Sequence, residues 1–373
     1  MRVKFLLFCL LLSLVNYSVA QNNSEENQLI SVEVAGKWGY IDKTGKMVIK
    51  PQFDDAFNFE ENDWARVKVN DKYGYIDKSG KMVIEPWFEE VASFSSNGLA
   101  RVKIDGKWGY FAQTGSIIVD PMYDNACDFS SNGLAAVCLN GKWGYIDASG
   151  EMFIGLQYDR AWSFDAEGLA VAEVDDEIGY IQESGKWGIK PQFGRAGAFM
   201  GKGLARVQLN EDKWGFIDRT GKMVISPRYD GAYDFSANGL CVVQLDEKWG
   251  VVDTSGKFVV APQFDNACDF SSNGLAAVSL NGKWGYIDAT GKMVILPQFG
   301  NALSFAENGL AAVIQNGKYG VIDSKGKIVV KPRFEGIEIY RDILFAKDGG
   351  KWGIIDKKGA YIAKPQFDRV GLY

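Results

Sequence analysis

One run of residues recurs ten times along this 373-residue chain, and a fixed period of such length restricts it to stacked supersecondary units. A regular copy reads Lys283-Trp-Gly-Tyr-Ile-Asp288, two spacers, Gly291-Lys-Met-Val-Ile295, one residue, then Pro297-Gln-Phe299. The lead position is occupied by Trp38, Tyr73, Trp108, Trp143, Ile178, Trp214, Trp249, Trp284, Tyr319 and Trp352, in steps of 35, 35, 35, 35, 36, 35, 35, 35 and 33 residues. A turn glycine follows seven residues later in all ten copies, Gly45 to Gly359, and an aromatic fifteen residues later, Phe53 to Phe367. All nine prolines sit thirteen residues after the lead position, where only Leu156 departs. The 36-residue step carries its extra residue at Asn210-Glu-Asp, within a turn, where insertions are tolerated.

Within a unit the punctuation predicts strands. Leu275–Leu280 and Trp284–Asp288 flank Asn281-Gly282, a dipeptide that tolerates the positive φ of a tight hairpin. Asp288-Ala-Thr-Gly291 makes the next turn, because Asp bonds its own backbone and Gly takes the left-handed position. A third strand, Lys292–Leu296, is expected to end at Pro297, which cannot donate to a ladder, and Phe299–Phe305 is a fourth extended segment. No helical period follows the first twenty residues, so the chain reads as all-β: a tandem array of ten hairpin or meander units of about 35 residues. Every connection is short, and the units from Leu29 to Tyr373 leave no obvious strand to close a ring. An open solenoid or superhelix is therefore expected, with a closed β-propeller as the alternative. The near-identity of Asp124–Ala148 to Asp265–Ala289, four units apart and differing only at Cys138 and Ser279, also suits an extendable array.

The ends and the bulk composition narrow the setting. Arg2 and Lys4, the apolar run Phe5–Val15 and Ser18-Val-Ala20 form the three parts of a secretory signal, so residues 1–20 are expected to be removed, leaving a polar leader at 21–28 and the repeats at 29–373. The protein is then periplasmic, on the cell surface or secreted. No later segment is long and apolar enough for a transmembrane helix. A net charge of −6 and a pI near 5.1 oppose nucleic-acid binding and adsorption to anionic lipid. Cys127, Cys138, Cys241 and Cys268 do not recur from unit to unit as a disulfide framework would.

The Gly-Lys-Trp-Gly-Tyr-Ile-Asp, Gly-Lys-Met-Val-Ile and Pro-Gln-Phe runs resemble the WG-containing, or KWG, repeat family over Leu29 to Tyr373. Departures are Tyr73, Ile178 and Tyr319 at the lead position, Ala112 and Gln182 at the turn Asp, and Leu156 for Pro. The resemblance implies a bacterial, often exported protein, and a distant likeness to aromatic hairpin repeats that bind cell-wall polymers. It brings no catalytic residues.

The chain has no histidine, which removes the usual nucleophile-activating base and the commonest zinc ligand. No cofactor motif and no metal-ligating spacing is present, so neither catalytic, cofactor nor metal residues are assigned. A hydrolase would have to use paired carboxylates, but the turn aspartates (Asp42, Asp77, Asp147, Asp218, Asp253, Asp288, Asp323 and Asp356) recur as turn openers. The lead tryptophans are expected to fill contacts between units rather than stack on sugars. The informative position is the one that varies, nineteen residues after the lead: Phe57, Ala92, Cys127, Trp162, Gly197, Tyr233, Cys268, Leu303, Glu338 and Gly371. If this ladder faces outward, Phe57, Trp162 and Tyr233, with the off-pattern Trp64 and Trp87, form a binding surface; otherwise they fill gaps between units. The expected function is a non-enzymatic exported scaffold for a protein partner. The alternative is capture of a glycan or cell-wall polymer through the exposed aromatics.

Overall fold

The computed structural model describes residues 28–209 and 212–371; the signal segment, most of the leader and the inserted Asn210-Glu211 lie outside them. Strands fill this chain, and they assemble into ten four-stranded antiparallel sheets. One sheet shows the plan. Its opening strand is only Asn266–Ala267, followed by the hairpin Ala276–Leu280 and Lys283–Ile287 and the long strand Met293–Phe299. The hairpin turns at Asn281 and Gly282, both at positive φ (52° and 72°), as the Asn-Gly dipeptide requires.

The long strand does not stop at proline. It runs through Pro297 to Phe299, and the pairing slips there: Tyr286 faces Ile295 while Trp284 faces Phe299. Two residues on one strand oppose four on the other, which is a bulge, and Pro fits because a bulged residue has no ladder bond to donate. Opposite the bulge sits Gly285. A Cβ there would lie 2.4 Å from the Ile295 carbonyl oxygen and 2.8 Å from the Pro297 nitrogen. The glycine of Trp-Gly and the distant proline are thus two halves of one contact, repeated at Gly39 with Pro51 and at Gly250 with Pro262.

The expected fourth strand of each unit belongs to the next sheet. After Phe299 a single bend residue, Gly300, precedes Asn301–Ala302, which pairs with Leu310–Gln315 rather than with its own unit. A one-residue crossing is enough: the chain bends at Gly300 and its partners change there. The bend residue is usually Asp, and it clamps the crossing: Asp265 takes Lys248 at 2.6 Å and the Gly282 amide at 3.1 Å, and Asp124 takes Lys107 at 2.5 Å and the Asn140 amide at 2.7 Å. That is the role of the lysine preceding Trp-Gly.

The core lies between successive sheets. Tyr286, Ile295 and Phe299 of one sheet pack with Ala302, Phe305 and Val313 of the next. Two residues past the lead position, Tyr40, Tyr110, Tyr145, Tyr180 and Tyr286 are almost fully buried. Each meets the aromatic nineteen residues later, with ring centroids 4.7–5.0 Å apart from Tyr286–Phe305 to Tyr40–Phe59. The lead tryptophans are less central than expected. Trp38 and Trp108 are buried, but Trp143, Trp214, Trp249, Trp284 and Trp352 are half-buried. The turn glycines have a second duty besides positive φ: a Cβ on Gly291 would strike Val260 of the preceding sheet at 2.3 Å.

Contacts group the chain into two compact units, one running up to Pro86 and taking in Lys347–Asp356 and everything from Ala360, the other comprising Trp87–Ala346 with Lys357–Gly359. Within the first unit the chain closes on itself. The first sheet consists of Met47–Phe53, Lys37–Ile41, Ile30–Val34 and, from the far end of the sequence, Arg369–Val370. Asp368 N–H donates to Glu33 O and Gly371 N–H to Ser31 O, both at 2.8 Å. The buried Asn58 amide ties the joint, accepting from Ser31 N–H at 2.9 Å and donating to Gly371 O at 2.7 Å. A Cβ on Gly45 would meet Ala363 at 2.3 Å, repeating the sheet-to-sheet contact across the seam. The open solenoid expected from the short connections is therefore wrong; the topology is a closed β-propeller of ten sheets. The reason is the phase of the repeat: its last two-residue strand belongs to the following sheet, so the tenth copy automatically supplies the first sheet's missing strand.

Gly285→Ala is expected to destabilise the fold by about 1–3 kcal/mol, because rigid backbone meets the added methyl. Gly155→Ala, where no atom lies within 4 Å of the added Cβ, should change stability by less than about 0.5 kcal/mol. Urea melts of the two variants check this contrast.

Candidate binding face

Nine of the ten positions of the varying ladder follow a two-residue opening strand; Glu338 lies within the five-residue Gly336–Tyr340. The ladder's backbone is satisfied whatever the side chain. The amide of Trp162 donates to Val171 O at 3.1 Å, that of Tyr233 to Val242 O at 3.0 Å and that of Leu303 to Ala312 O at 3.0 Å. The carbonyls of Phe57, Cys127, Trp162, Gly197 and Leu303 each accept the buried tyrosine hydroxyl of the preceding sheet, at 2.6–2.8 Å. Burial raises those phenols far above their usual pKa, so they remain hydrogen-bond donors. The fold thus holds this position by main chain and leaves its side chain free to differ.

The structure divides the sequence-derived candidates. In the first unit Phe57 is half-buried beneath the Arg66 guanidinium, 4.1 Å from its ring centroid, and Trp64 is half-buried against Tyr75 at 5.8 Å. Both are structural contacts more than platforms. In the second unit Trp87 is exposed but lies on a long strand, beside Phe88 at 4.5 Å, and off the ladder. Trp162 and Tyr233 are on the ladder and exposed, at 41% and 36%, and Leu303 is exposed at 45%. Tyr233 leans on Trp249 with centroids 5.4 Å apart, so the half-buried lead tryptophan supports a platform.

A charged ladder runs beside the aromatic one, and the sequence reading missed it. Arg101 Nε lies 2.8 Å from Asp128, and Arg206 Nε lies 3.1 Å from Asp234. Each arginine also donates through Nη1 to a main-chain carbonyl, Ala126 O at 2.7 Å and Ala232 O at 2.8 Å, and lies over the lead tryptophan of its partner's unit, Trp108 or Trp214, at 5.1 and 5.2 Å. The signal was readable: Arg stands twenty-eight residues after the lead and Asp twenty after the next. Where Val242 takes the arginine position, Asp269 keeps its carboxylate but has no such partner, and its buried Oδ1 has no hydrogen bond. Burial, then the nearby Asp234 charge, pushes Asp269 up from 3.8 to about 6, with Arg206 pulling the other way. Burial likewise raises the Cys127 and Cys268 thiols beside this face, and all four cysteines of the described residues are free.

The turn aspartates are fully used by their turns. Asp288 Oδ1 accepts from Thr290 N–H at 2.9 Å, Thr290 O–H at 2.6 Å and Lys292 N–H at 3.1 Å, and this bonding holds its pKa low. Among the described residues no cluster of three or more His, Cys, Asp or Glu could hold a metal ion, and no helix is long and apolar enough to cross a membrane.

Ten sheets, each taking its opening strand from the preceding repeat and the first of them joining strands from opposite ends of the sequence, define a β-propeller protein. The WG containing repeat matches ten consecutive times, over 38–73, 73–108, 108–143, 143–177, 178–213, 214–249, 249–284, 284–319, 319–352 and 352–373; the chain belongs to this family. No curated protein matches it. Among solved structures, a eukaryotic initiation factor is similar at 11% identity and a TM-score of 0.56, covering 92% of this chain and 96% of that one. Apo AztD from Citrobacter koseri aligns at 12% identity and a TM-score of 0.37, over 92% and 96% of the two chains. BamB from Moraxella catarrhalis aligns at 13% identity and 0.36, over 83% and 95%. The first of these supports the propeller fold and, at its low identity, the fold alone.

The widowed carboxylate gives a pH signature. A carboxyl whose folded pKa is raised binds more protons folded than unfolded between about pH 4 and 6, so stability falls as pH rises through that window. Asp269→Asn should remove that loss, gaining on the order of 1 kcal/mol above pH 6 after solvent screening and nothing near pH 4. Thermal melts of both proteins across pH 4–7 measure it.

Proposed function

We propose that this WG-repeat propeller is an exported, non-enzymatic binding protein that captures a glycan or cell-wall polymer on its aromatic ladder. The observation that carries the reading is the exposure of Trp162 and Tyr233 at equivalent ladder positions, each followed by a group that accepts hydrogen bonds, Ser163 or Asp234. Flat aromatic faces stack on the apolar faces of sugar rings, and adjacent carboxylates and hydroxyls take the ring hydroxyls. Repetition at a fixed interval suits a polymer, because several weak contacts on one chain multiply in effect. The export half rests on the basic, apolar and small-residue sequence of the first twenty residues. The second reading, a protein partner, is supported by exposed Leu303 on the same ladder, since an aliphatic side chain has little to offer a sugar.

Sedimentation of purified protein with insoluble wall polymer tests the choice. Trp162→Ala and Tyr233→Ala should each weaken binding roughly three- to tenfold. Their melting temperatures should stay close to the parent's, since both side chains are exposed. Wild-type protein that ignores the polymer, or variants that bind it unchanged, would overturn the glycan reading.

A further inference from the structure

Two unit boundaries carry an arginine–aspartate pair, and four carry neither member: those at Ala136 with Ser163, at Ala277 with Ser304, at Ala312 with Ile339, and the one beside Trp162. In the last of these, the positions equivalent to Arg101 with Asp128, and to Arg206 with Asp234, are occupied by Val171 and Ala198. A cavity of about 320 Å³ lies at this boundary, beside Trp162. We propose that this cavity binds a neutral, apolar ring compound, at a site that shares Trp162 with the aromatic ladder.

The walls decide the class of ligand. Trp162, Phe164, Tyr180 and Phe199 supply rings, and Leu169, Val171 and two alanines fill between them. Ser163 offers the walls one hydroxyl, and the other polar groups among them are already engaged. The Tyr180 hydroxyl donates to Gly197 O at 2.7 Å. Asp165 accepts the amides of Glu167 and Leu169, both at 3.0 Å, and a two-point contact from Arg219 at 2.8 and 3.0 Å. A sugar ring would bring several hydroxyls that find no partner there, each costing about 1–3 kcal/mol. A cation is no better served: Arg219 neutralises Asp165 and lies over the Phe199 ring, 4.9 Å from its centroid. An anion would face Asp165 and Glu167. A neutral ring compound makes none of these demands, and a cavity of this volume falls at the lower end of the range for small-molecule sites, about 300–1,000 Å³. Repeat five departs from the pattern around this cavity in other ways: its lead residue is Ile178, and its tryptophan is displaced to Trp187, packed edge-on to Tyr158 at 5.6 Å.

The chain itself supplies the plug. Val171→Arg with Ala198→Asp rebuilds the pair that two other boundaries already accommodate, so it should fill the cavity without unfolding the protein. The probe is N-phenyl-1-naphthylamine, neutral and fluorescent in apolar surroundings, with 1-anilinonaphthalene-8-sulfonate as its anionic counterpart. Wild type should bind one equivalent of the amine saturably, and the sulfonate at least tenfold more weakly. The double variant should lose the amine by at least tenfold and melt no lower than wild type. Ala198→Met, a smaller plug, should weaken the amine in the same direction. Absence of saturable binding to wild type, or unchanged binding to both plugged variants, would each overturn the proposal. Loss of polymer sedimentation in wild type would overturn the glycan reading and leave the probe result standing.

Discussion

The close approach of one glycine to one bulge governs this molecule. At Gly285 the second hairpin strand comes so near the Ile295–Pro297 backbone that no side chain could intervene. The bulge increases the local bend and twist of the long strand, and beyond its end at Phe299 the chain bends at Gly300 and joins the next sheet. From this follow the single-residue crossing, the lysine–aspartate clamp on it, and the placement of the buried tyrosine over the next opening strand. Sheet-to-sheet packing is consequently alike at nearly every boundary. The variable ladder sits at the end of that chain of consequences, where main-chain bonds hold the backbone and side chains are released.

The turns, the strands and the repeat period were legible because each depends on local chemistry. Asn281-Gly282 announces its hairpin, and Asp288 with Gly291 announces its turn. The handover between sheets was not legible. Phe299–Phe305 reads as one extended segment, and nothing local says that Gly300 divides it between two sheets. Pro297 reads as a stop for the same reason, since only knowledge of the facing Gly285 turns it into a bulge. Once those two points were misread, the sealing strand Arg369–Val370 looked like the end of a tenth unit.

The candidate face was half legible. The position that varies was visible in the alignment of the chain with itself, and Trp162 and Tyr233 are exposed there. Phe57 and Trp64 could not be separated from them by sequence, because their burial depends on Arg66 and Tyr75, which only folding brings near. The lead tryptophans take, in the sequence reading, the role that belongs to the tyrosines two residues later: both residues are large and recurrent and share one face of the strand, and the difference lies in their place along it, Trp284 standing nearer the hairpin turn. The arginine–aspartate ladder was written in the sequence at fixed offsets, yet its meaning required knowing that residues of consecutive units meet. The pair occurs at two boundaries only; Asp269 keeps its carboxylate without the arginine, and Val171 with Ala198 keep neither.

The account stands or falls on closure. Spin labels at Lys43→Cys and Lys364→Cys, in a background with the four remaining cysteines replaced, would read the distance between the first and last repeats by pulsed electron resonance. Both positions are exposed, and they neighbour Gly45 and Ala363, which meet across the seam. Closure requires one narrow distance below about 25 Å, allowing for label reach beyond a sheet spacing of about 10 Å. An open array with that spacing would place the same labels roughly 90 Å apart, and a long or broad distribution would contradict the structure described here.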